Sequence, residues 1–356
     1  MPIPNLSNPV IPEFSIIVNG KSLPNKTRPF INSISVDESL ALPSMFALEI
    51  ASSYELKEVN ELIDDPLFTV GNVVEIKFGY GSDLETLIIG EITGLEPEFI
   101  ANRLPALTVR GYDRRHRLQR GRKTRTFVQQ KDSDIAVKIA SEAGLSSSAI
   151  NSEVVHDYVI QANQTDMEFL QERARRIQYE VEVYDKKLTF RPVRNTESES
   201  LTIKLDEHLL EFRPRLSAAR QITEVSVRGW NPKEKKEILS TAQAGTESSR
   251  MGGKQSGSKM AEQAFGSLAD AMSVQPLMTQ AEADQMAKAM LNKRSLSLIE
   301  GEGVCLGRTD LRAGKVIKIK GVGKRFEGQY YVTTAIHRYK ARGGYRTQFQ
   351  VRRNAS

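Results

Sequence analysis

The stretch Gly314-Lys-Val-Ile-Lys-Ile-Lys-Gly-Val-Gly323, continued by Gly328-Gln-Tyr-Tyr-Val-Thr-Thr-Ala-Ile-His337 and Phe349-Gln-Val-Arg-Arg353, repeats an order met earlier in the chain. The earlier copy is Gly71-Asn-Val-Val-Glu-Ile-Lys-Phe-Gly-Tyr-Gly81, then Gly90-Glu-Ile-Thr, then Leu107-Thr-Val-Arg-Gly-Tyr112. In both, a glycine opens a strand that alternates apolar and polar residues, a glycine-bounded turn follows, and a second strand crosses. A last strand then carries arginine at or near its end. Val74, Ile76 and Phe78 alternate with Glu75 and Lys77 as Ile317 and Ile319 do with Lys318 and Lys320; such a period of two marks strands with one buried face. Two related β-units in one chain point to an architectural role before they point to chemistry.

Working outward, the 356 residues are long for one core and predict two or three domains. The apolar and charged fractions, 39% and 26%, are those of an ordinary globular protein. No apolar run approaches the roughly 18 residues that span a membrane, and the first residues lack the basic-then-apolar pattern of a secretory signal. The single cysteine, Cys305, excludes an internal disulfide, so the fold does not depend on an oxidising compartment. The net charge of +6 is unevenly placed: Arg103 to Arg125 holds nine lysines and arginines against one acid, Asp113. That cluster reads as a phosphate-binding patch, a solvated strand end, or a face that meets an acidic partner subunit. Tyr112 is its one stacking platform, so nucleic acid is not expected as a partner.

Residues 1–13, with four prolines, read as an extended arm. Residues 14–125 form a first antiparallel β-unit of about six strands, the size of a small barrel. Residues 126–195 are an α/β module: a helix begins near Asp132, and Thr165-Asp-Met-Glu168 is a capping box for a second, followed by a hairpin over Tyr179 to Phe190. Residues 196–356 form the second β-unit, whose Val225-Ser-Val-Arg-Gly-Trp230 reads like Leu107 to Tyr112. It is interrupted at about 236–294 by a segment expected to be a flexible loop, most clearly Ser248 to Lys259, and a helix capped at Thr279.

Reactive constellations are missing from this pattern. His116, His156, His208 and His337 have no ligand-like spacing, so no metal site is expected. Gly252-Gly253-Lys254 resembles the tail of a P-loop, but Gln255 and Ser248 stand where the motif needs Ser or Thr and Gly. Gly301 with Gly303, and Gly321 with Gly323, lack the third glycine of a dinucleotide site and read as turns. Asp64 with Asp65, and Glu300 with Glu302, are sequence neighbours and do not define a cleft. Cys305 sits in a strand pattern as a buried residue, His337 sits in one as a packed or surface residue, and Trp230 follows a strand end as a packing anchor. No catalytic residue, cofactor or metal is expected, and the chain is not read as an enzyme.

The segment from Ala313 to His337 resembles the phage late control gene D family, which includes the N-terminal half of VgrG proteins and the baseplate hub of T-even phages. Thr165 to Ile177 and Leu107 to Asp113 agree with it, and the similarity runs from about Phe14 to Arg353. The resemblance implies a mainly β fold with an α/β insert: two tail-tube-like antiparallel barrels, the second split by an insertion. In that family three copies form a ring of six barrels, matching a six-fold tube to a three-fold spike. It implies a baseplate hub of a contractile injection system or phage tail, a homotrimer docking inner tube, spike and baseplate wedge proteins, assembled in the bacterial cytoplasm. A full VgrG continues into an oligonucleotide-fold domain and a needle; this chain stops near its last hub strand, so the spike is expected as a separate polypeptide. The alternative is a cell-wall or carbohydrate-binding module that uses the α/β insert.

Overall fold

The computed structural model describes residues 11–51, 63–102, 105–274 and 277–356. The proposed N-terminal arm thus lies outside the described residues as far as residue 10. The chain is mainly β with an α/β insert, and its largest element is one 13-stranded sheet. The first β-unit supplies β1 (Pro12–Val18), β2 (Lys21–Ser22), β3 (Ile31–Ser39), β4 (Met45–Ala51), β5 (Val73–Tyr80), β6 (Asp83–Glu98) and β7 (Ala106–Tyr112). A short helix, α1 (Arg115–Leu118), leads into the insert. This holds β8 (Lys123–Lys131), α2 (Asp132–Glu142), β9 (Ser146–Ala149), β10 (Val155–Gln164), α3 (Asp166–Arg176), β11 (Tyr179–Tyr184) and β12 (Lys187–Pro192).

The second half supplies β13 (Leu201–Lys204), β14 (Leu209–Leu216), β15 (Glu224–Asn231), β16 (Lys236–Gln243), α4 (Gly257–Phe265), β17 (Ala269–Val274) and α5 (Gln280–Ser295). It ends with β18 (Ile299–Leu306), β19 (Val316–Lys320), β20 (Gly328–Lys340) and β21 (Gly344–Arg353).

Strand order reveals the duplication more fully than the glycines do. The first unit runs β3-β4-β7-β6-β5-β1 and the second β14-β18-β21-β20-β19-β13. Numbering six strands within each unit, both orders are second, third, sixth, fifth, fourth, first. The irregularities also coincide. The fifth and sixth strands carry a bulge between Ile92 and Gly94 in one unit and between Val332 and Thr334 in the other. The second and third carry one between Ile31 and Ser33, and between Leu209 and Glu211. Gly71 N donates to Ile92 O at 2.8 Å, and Gly314 N to Val332 O at 2.9 Å. Both glycines have positive φ, 94° and 78°, which a side chain would strain. By this register Glu91 corresponds to Tyr331, so Gly90 matches Tyr330 and not the Gly328 that the sequence pattern suggests. The first strand is antiparallel to the fourth in the first unit and parallel in the second.

Each unit curls around its own core, because inward side chains of all six strands meet in one cluster. Phe14, Ile34, Phe46, Ile76, Ile92 and Val109 do so in the first, and Ile203, Leu209, Cys305, Ile319, Tyr330 and Phe349 in the second. Each such side chain contributes roughly 1.5–3 kcal/mol on burial. The hydrogen-bonded path does not close: it runs from β14 through β20 and β3 to β2.

The interruption of the second half differs from the loop and helix expected at 236–294. β15, β16 and β17 form a separate three-stranded sheet, with β16 antiparallel and β17 parallel to β15. Val225, Val227, Ile238 and Ala242 pack there against Ala283, Met286 and Leu291 of α5. Val225 to Trp230 therefore belongs to this third unit and not to the large sheet. The alternation of β16 escaped notice because its inward positions after Ile238 are Ser240 and Ala242, which carry little apolar signal. Ser248 to Lys259 is tied down: Asn354 Nδ2 donates to Ser249 O, Lys254 N donates to Ser356 O at 3.0 Å, and Ser256 caps α4.

Candidate assembly surface

The two β-units meet edge to edge. β20 pairs with β19 over Gly328–Tyr331, then continues past that partner and pairs with β3 from Thr334–Ser39 to Lys340–Ser33. Leu40 N donates to Thr333 O at 3.2 Å and Ala341 N to Asn32 O at 3.0 Å. These two bonds set the phase, making Ala335–Glu38, His337–Val36 and Tyr339–Ile34 the hydrogen-bonded rungs.

Side chains cross the joint on the core side. Tyr339 lies 4.8 Å from the Phe14 ring, Tyr345 lies 4.9 Å from Phe78, and Tyr80 Oη donates to Gly307 O at 2.9 Å. Arg312 forms an ion pair with Glu38 and donates to Leu87 O at 2.6 Å and Thr86 O at 3.2 Å. Burial pushes the Glu38 carboxyl up from its ordinary value, with Arg312 opposing. Burial also works against the Arg312 charge, yet Glu38 holds it on. A buried pair of this kind fixes geometry more than it adds stability, since removing one partner leaves the other uncompensated.

The opposite face of the sheet is polar. Ser33, Ser35 and Glu49 follow one another across β3 and β4, and Glu300, Glu302, Gln348, Gln350 and Arg352 across β18 and β21. Arg110 Nε donates to both carboxylate oxygens of Glu96, at 2.7 and 2.8 Å, and Arg352 meets Glu300 at 3.1 Å. Glu300 and Glu302 are thus cross-strand charges on a broad face and do not form an acid–base pair across a cleft. Among the open edges of this sheet in the described residues are the outer edge of β14 and the edge of β6 after Ile92, where β5 has ended.

The basic cluster, whose Arg103 lies outside the described residues, resolves from Arg110 to Arg125 into a clamp, not a phosphate patch. Buried Glu91 accepts from Arg117 at 2.6 and 2.8 Å and from Arg114 at 3.2 Å. Arg115 donates to Leu42 O and Ser39 O at 2.7 and 3.0 Å, Lys123 meets Asp166 at 2.7 Å, and Arg122 meets Glu168 at 3.1 Å. The acids come from distant positions, which is why the local sequence looked unbalanced. A cleft of about 270 Å³ at this seam is lined by Glu38, Arg115, Glu182, Arg191 and Arg312. Its charges are already matched, Arg191 holding Glu182 at 2.7 Å and Glu180 at 3.0 Å.

The histidines are scattered. His337 is fully buried against Tyr345 Oη at 2.7 Å, and His116 Nδ1 lies 2.8 Å from Asp113 O. His156 joins a buried cluster in which Arg173 is bidentate to Asp132 at 2.5 and 3.1 Å, and His156 Nε2 lies 3.2 Å from the same carboxylate. Burial alone would raise Asp132, but the bonds from His156 and Arg173 outweigh it and hold its carboxyl below the ordinary value. His156 Nδ1 also faces Glu282 at 3.7 Å, so the cluster ties the insert to α5. Cys305 is buried, and burial pushes its thiol up to about 12, which leaves it unreactive as a nucleophile. Trp230, at 46% exposure, is no packing anchor. Among the described residues no group of three or more His, Cys, Asp or Glu is placed to hold a metal, and no helix is long and apolar enough to cross a membrane.

Comparison with known proteins places this geometry. The family model described as the Alg8 N-terminal domain matches residues 8–341. No curated protein sequence matches the chain. Among solved structures, the 43 kDa tail protein of prophage MuSo2 from Shewanella oneidensis is similar at TM-score 0.71 and 12% identity, over 96% of this chain and 98% of that one. The tail protein from Neisseria meningitidis MC58 is similar at TM-score 0.69 and 12% identity, over 96% of both chains. An Escherichia coli component of the type VI secretion system, described as similar to tail proteins of phage T4, aligns at TM-score 0.58 and 13% identity over 92% of this chain and 74% of that one. At these identities the likeness is one of fold, and the fold is that of phage tail proteins.

Proposed function

This chain belongs to the Alg8 N-terminal domain family, and from its duplicated fold we propose that it is a structural baseplate hub of a contractile injection system or phage tail. The observation that carries the reading is the duplicated topology: two six-stranded units of the same order and bulge positions, fused edge to edge through β3 and β20. A protein that had only to bind a sugar or a wall polymer has no need of two equivalent sheets in one chain. A subunit that offers two equivalent positions in a ring does: three copies present six positions to a six-fold tube and keep three-fold symmetry toward a spike.

In this reading residues 14–125 and 196–356 are the two tube-like positions and residues 126–195 the insert beside them. The third unit interrupts the second position. The partners are an inner tube protein, a spike and baseplate wedge proteins, and assembly takes place in the bacterial cytoplasm. The described residues carry matched ion pairs at their seams in place of a reactive constellation. The test is the mass and symmetry of assembled material, by native mass spectrometry and electron microscopy. The expected result is three copies in a ring that occupies six similar sheet positions. A ring of any other copy number, or a stable monomer or dimer within the particle, would sink the proposal.

A further inference from the structure

Resting on the trimeric reading above, we propose that the outer edge of β14 docks against the open edge of β6 in the next copy of this chain, in a register set by Glu96 with Arg215 and Glu98 with Arg213. The joint inside the chain supplies the template. There the second strand of the first unit, β3, pairs with the fifth strand of the second, β20. The counterparts of these two strands, β14 for β3 and β6 for β20, each keep an open edge, β6 beyond Ile92. Head-to-tail repetition of one joint generates a ring when the rotation closes.

The shared bulges transfer the register residue by residue. Gly94 of β6 corresponds to Thr334 of β20, because each follows the bulge of its own unit. Glu211 corresponds to Ser33 for the same reason. The rungs Ala335–Glu38, Ile336–Asp37, His337–Val36, Arg338–Ser35 and Tyr339–Ile34 then become Leu95–Leu216, Glu96–Arg215, Pro97–Pro214, Glu98–Arg213 and Phe99–Phe212.

Two features of these residues agree with the register, although neither entered its derivation. Glu96–Arg215 and Glu98–Arg213 fall on rungs without hydrogen bonds, where Cα atoms are about 4.5 Å apart and side chains meet. Both rungs pair an acid with a base. Within one chain, Glu98 and Arg215 enter no ion pair among the described residues, while Glu96 holds Arg110 and Arg213 holds Glu211. Second, Phe99 is 67% exposed, whereas its counterpart Tyr339 lies against Phe14 in the neighbouring core. The docking covers Phe99 with Phe212 in the same way.

Pro97 and Pro214 face each other on a hydrogen-bonding rung, where neither has an N–H to give and each ring points at the other strand, so this rung by itself opposes close pairing. Prolines at open edges block casual strand pairing. Opposed in this register, they leave recognition to the flanking charges, which favour the right partner more than they add affinity.

A disulfide test separates this register from the trimeric reading itself. The Glu98→Cys/Arg213→Cys chain, full length and assembled, is oxidised and run without reductant. Opposed residues on such a rung lie within disulfide reach, and the buried Cys305 does not compete. The expected product is a covalent series ending at a closed trimer, at least tenfold more abundant than from the off-register Glu98→Cys/Arg215→Cys chain. Glu98→Arg alone is expected to weaken self-association at least tenfold, and adding Arg213→Glu to restore it. A trimer of correct mass that fails to cross-link, or that couples equally in both registers, overturns this joint and leaves the trimeric hub standing. Absence of any trimer in assembled material overturns both.

Discussion

Gly111 and His337 show how single side chains hold this sheet. A methyl group on Gly111 would lie 2.3 Å from both the Glu91 carbonyl oxygen and the Phe46 ring. Phe46 is fully buried and has no room to withdraw. Gly111→Ala is therefore expected to destabilise the protein by about 1–3 kcal/mol, read as a lowered midpoint in thermal or urea unfolding. Gly94→Ala, where a methyl group meets nothing within 4 Å, is expected to stay within about 0.5 kcal/mol. If the two variants melt alike, the close packing of Phe46 is wrong.

His337 is held well below its ordinary pKa, first by burial and then by the nearby Arg312 charge. Burial keeps Tyr345 protonated, and its hydroxyl shares a hydrogen bond of 2.7 Å with Nδ1 of His337. The unfolded chain takes up the proton first, so this stability is present above about pH 6.5 and is lost as pH falls toward the folded pKa. The slope is up to about 1.4 kcal/mol per pH unit. His337→Gln is expected to flatten the urea midpoint between pH 7 and 5.5, with His208, also lowered by burial, contributing equally in both proteins. An unchanged slope would mean that His337 is accessible to solvent protons. Cys305 was readable in sequence as a buried strand residue, whereas for His337 the strand was readable and the burial was not. The basic run at Arg103–Arg125 was not readable, since Glu91, Asp166 and Glu168 reach it only through the fold.

Among the elements, β20 is the one on which the architecture turns. Its first residues belong to the second unit alone, and from Thr334 to Lys340 it has partners on both edges, β21 and β3. A strand paired on both sides opens only when the sheet opens. Amide hydrogen exchange of Ile34, Val36, Glu38, Ala335, His337 and Tyr339 is expected to be as slow as exchange within β4 and β21. Faster exchange by orders of magnitude at the joint alone would mean two units that touch without sharing a sheet. α3 and α5 were legible from local chemistry: Thr165 and Glu168 form their capping box, and Thr279 caps α5 through Glu282 N; α4, capped by Ser256, lies in a segment expected to be a flexible loop. β16 and β17 were not legible, because a strand built from Ser, Ala and Met carries little contrast between its faces.

For the molecule as a whole, the order of its parts explains its insertions. The α/β insert falls between the two six-stranded units, and the third unit falls between the second and third strands of the second one. Both therefore enter at connections and leave the strand order intact. The buried cluster of Asp132, Arg173 and His156, with Glu282 beside it, locks these two additions to each other. The three-copy ring belongs to the whole molecule, because β3 and β20 are used up in the joint inside the chain, which leaves β6 in one unit and β14 in the other to meet the next copy.

The sequence by itself determined the β character, the duplication, the capped helices and the absence of an ordinary reactive motif, because alternation, turn glycines and caps act over a few residues. Only the tertiary structure decided that the two units share one sheet, that the basic run is a clamp, and which edges stay open. Those outcomes depend on strand partners hundreds of residues apart, as with Thr334 and Ser39. A period-two pattern specifies which face of a strand is buried, but not which strand it will lie beside.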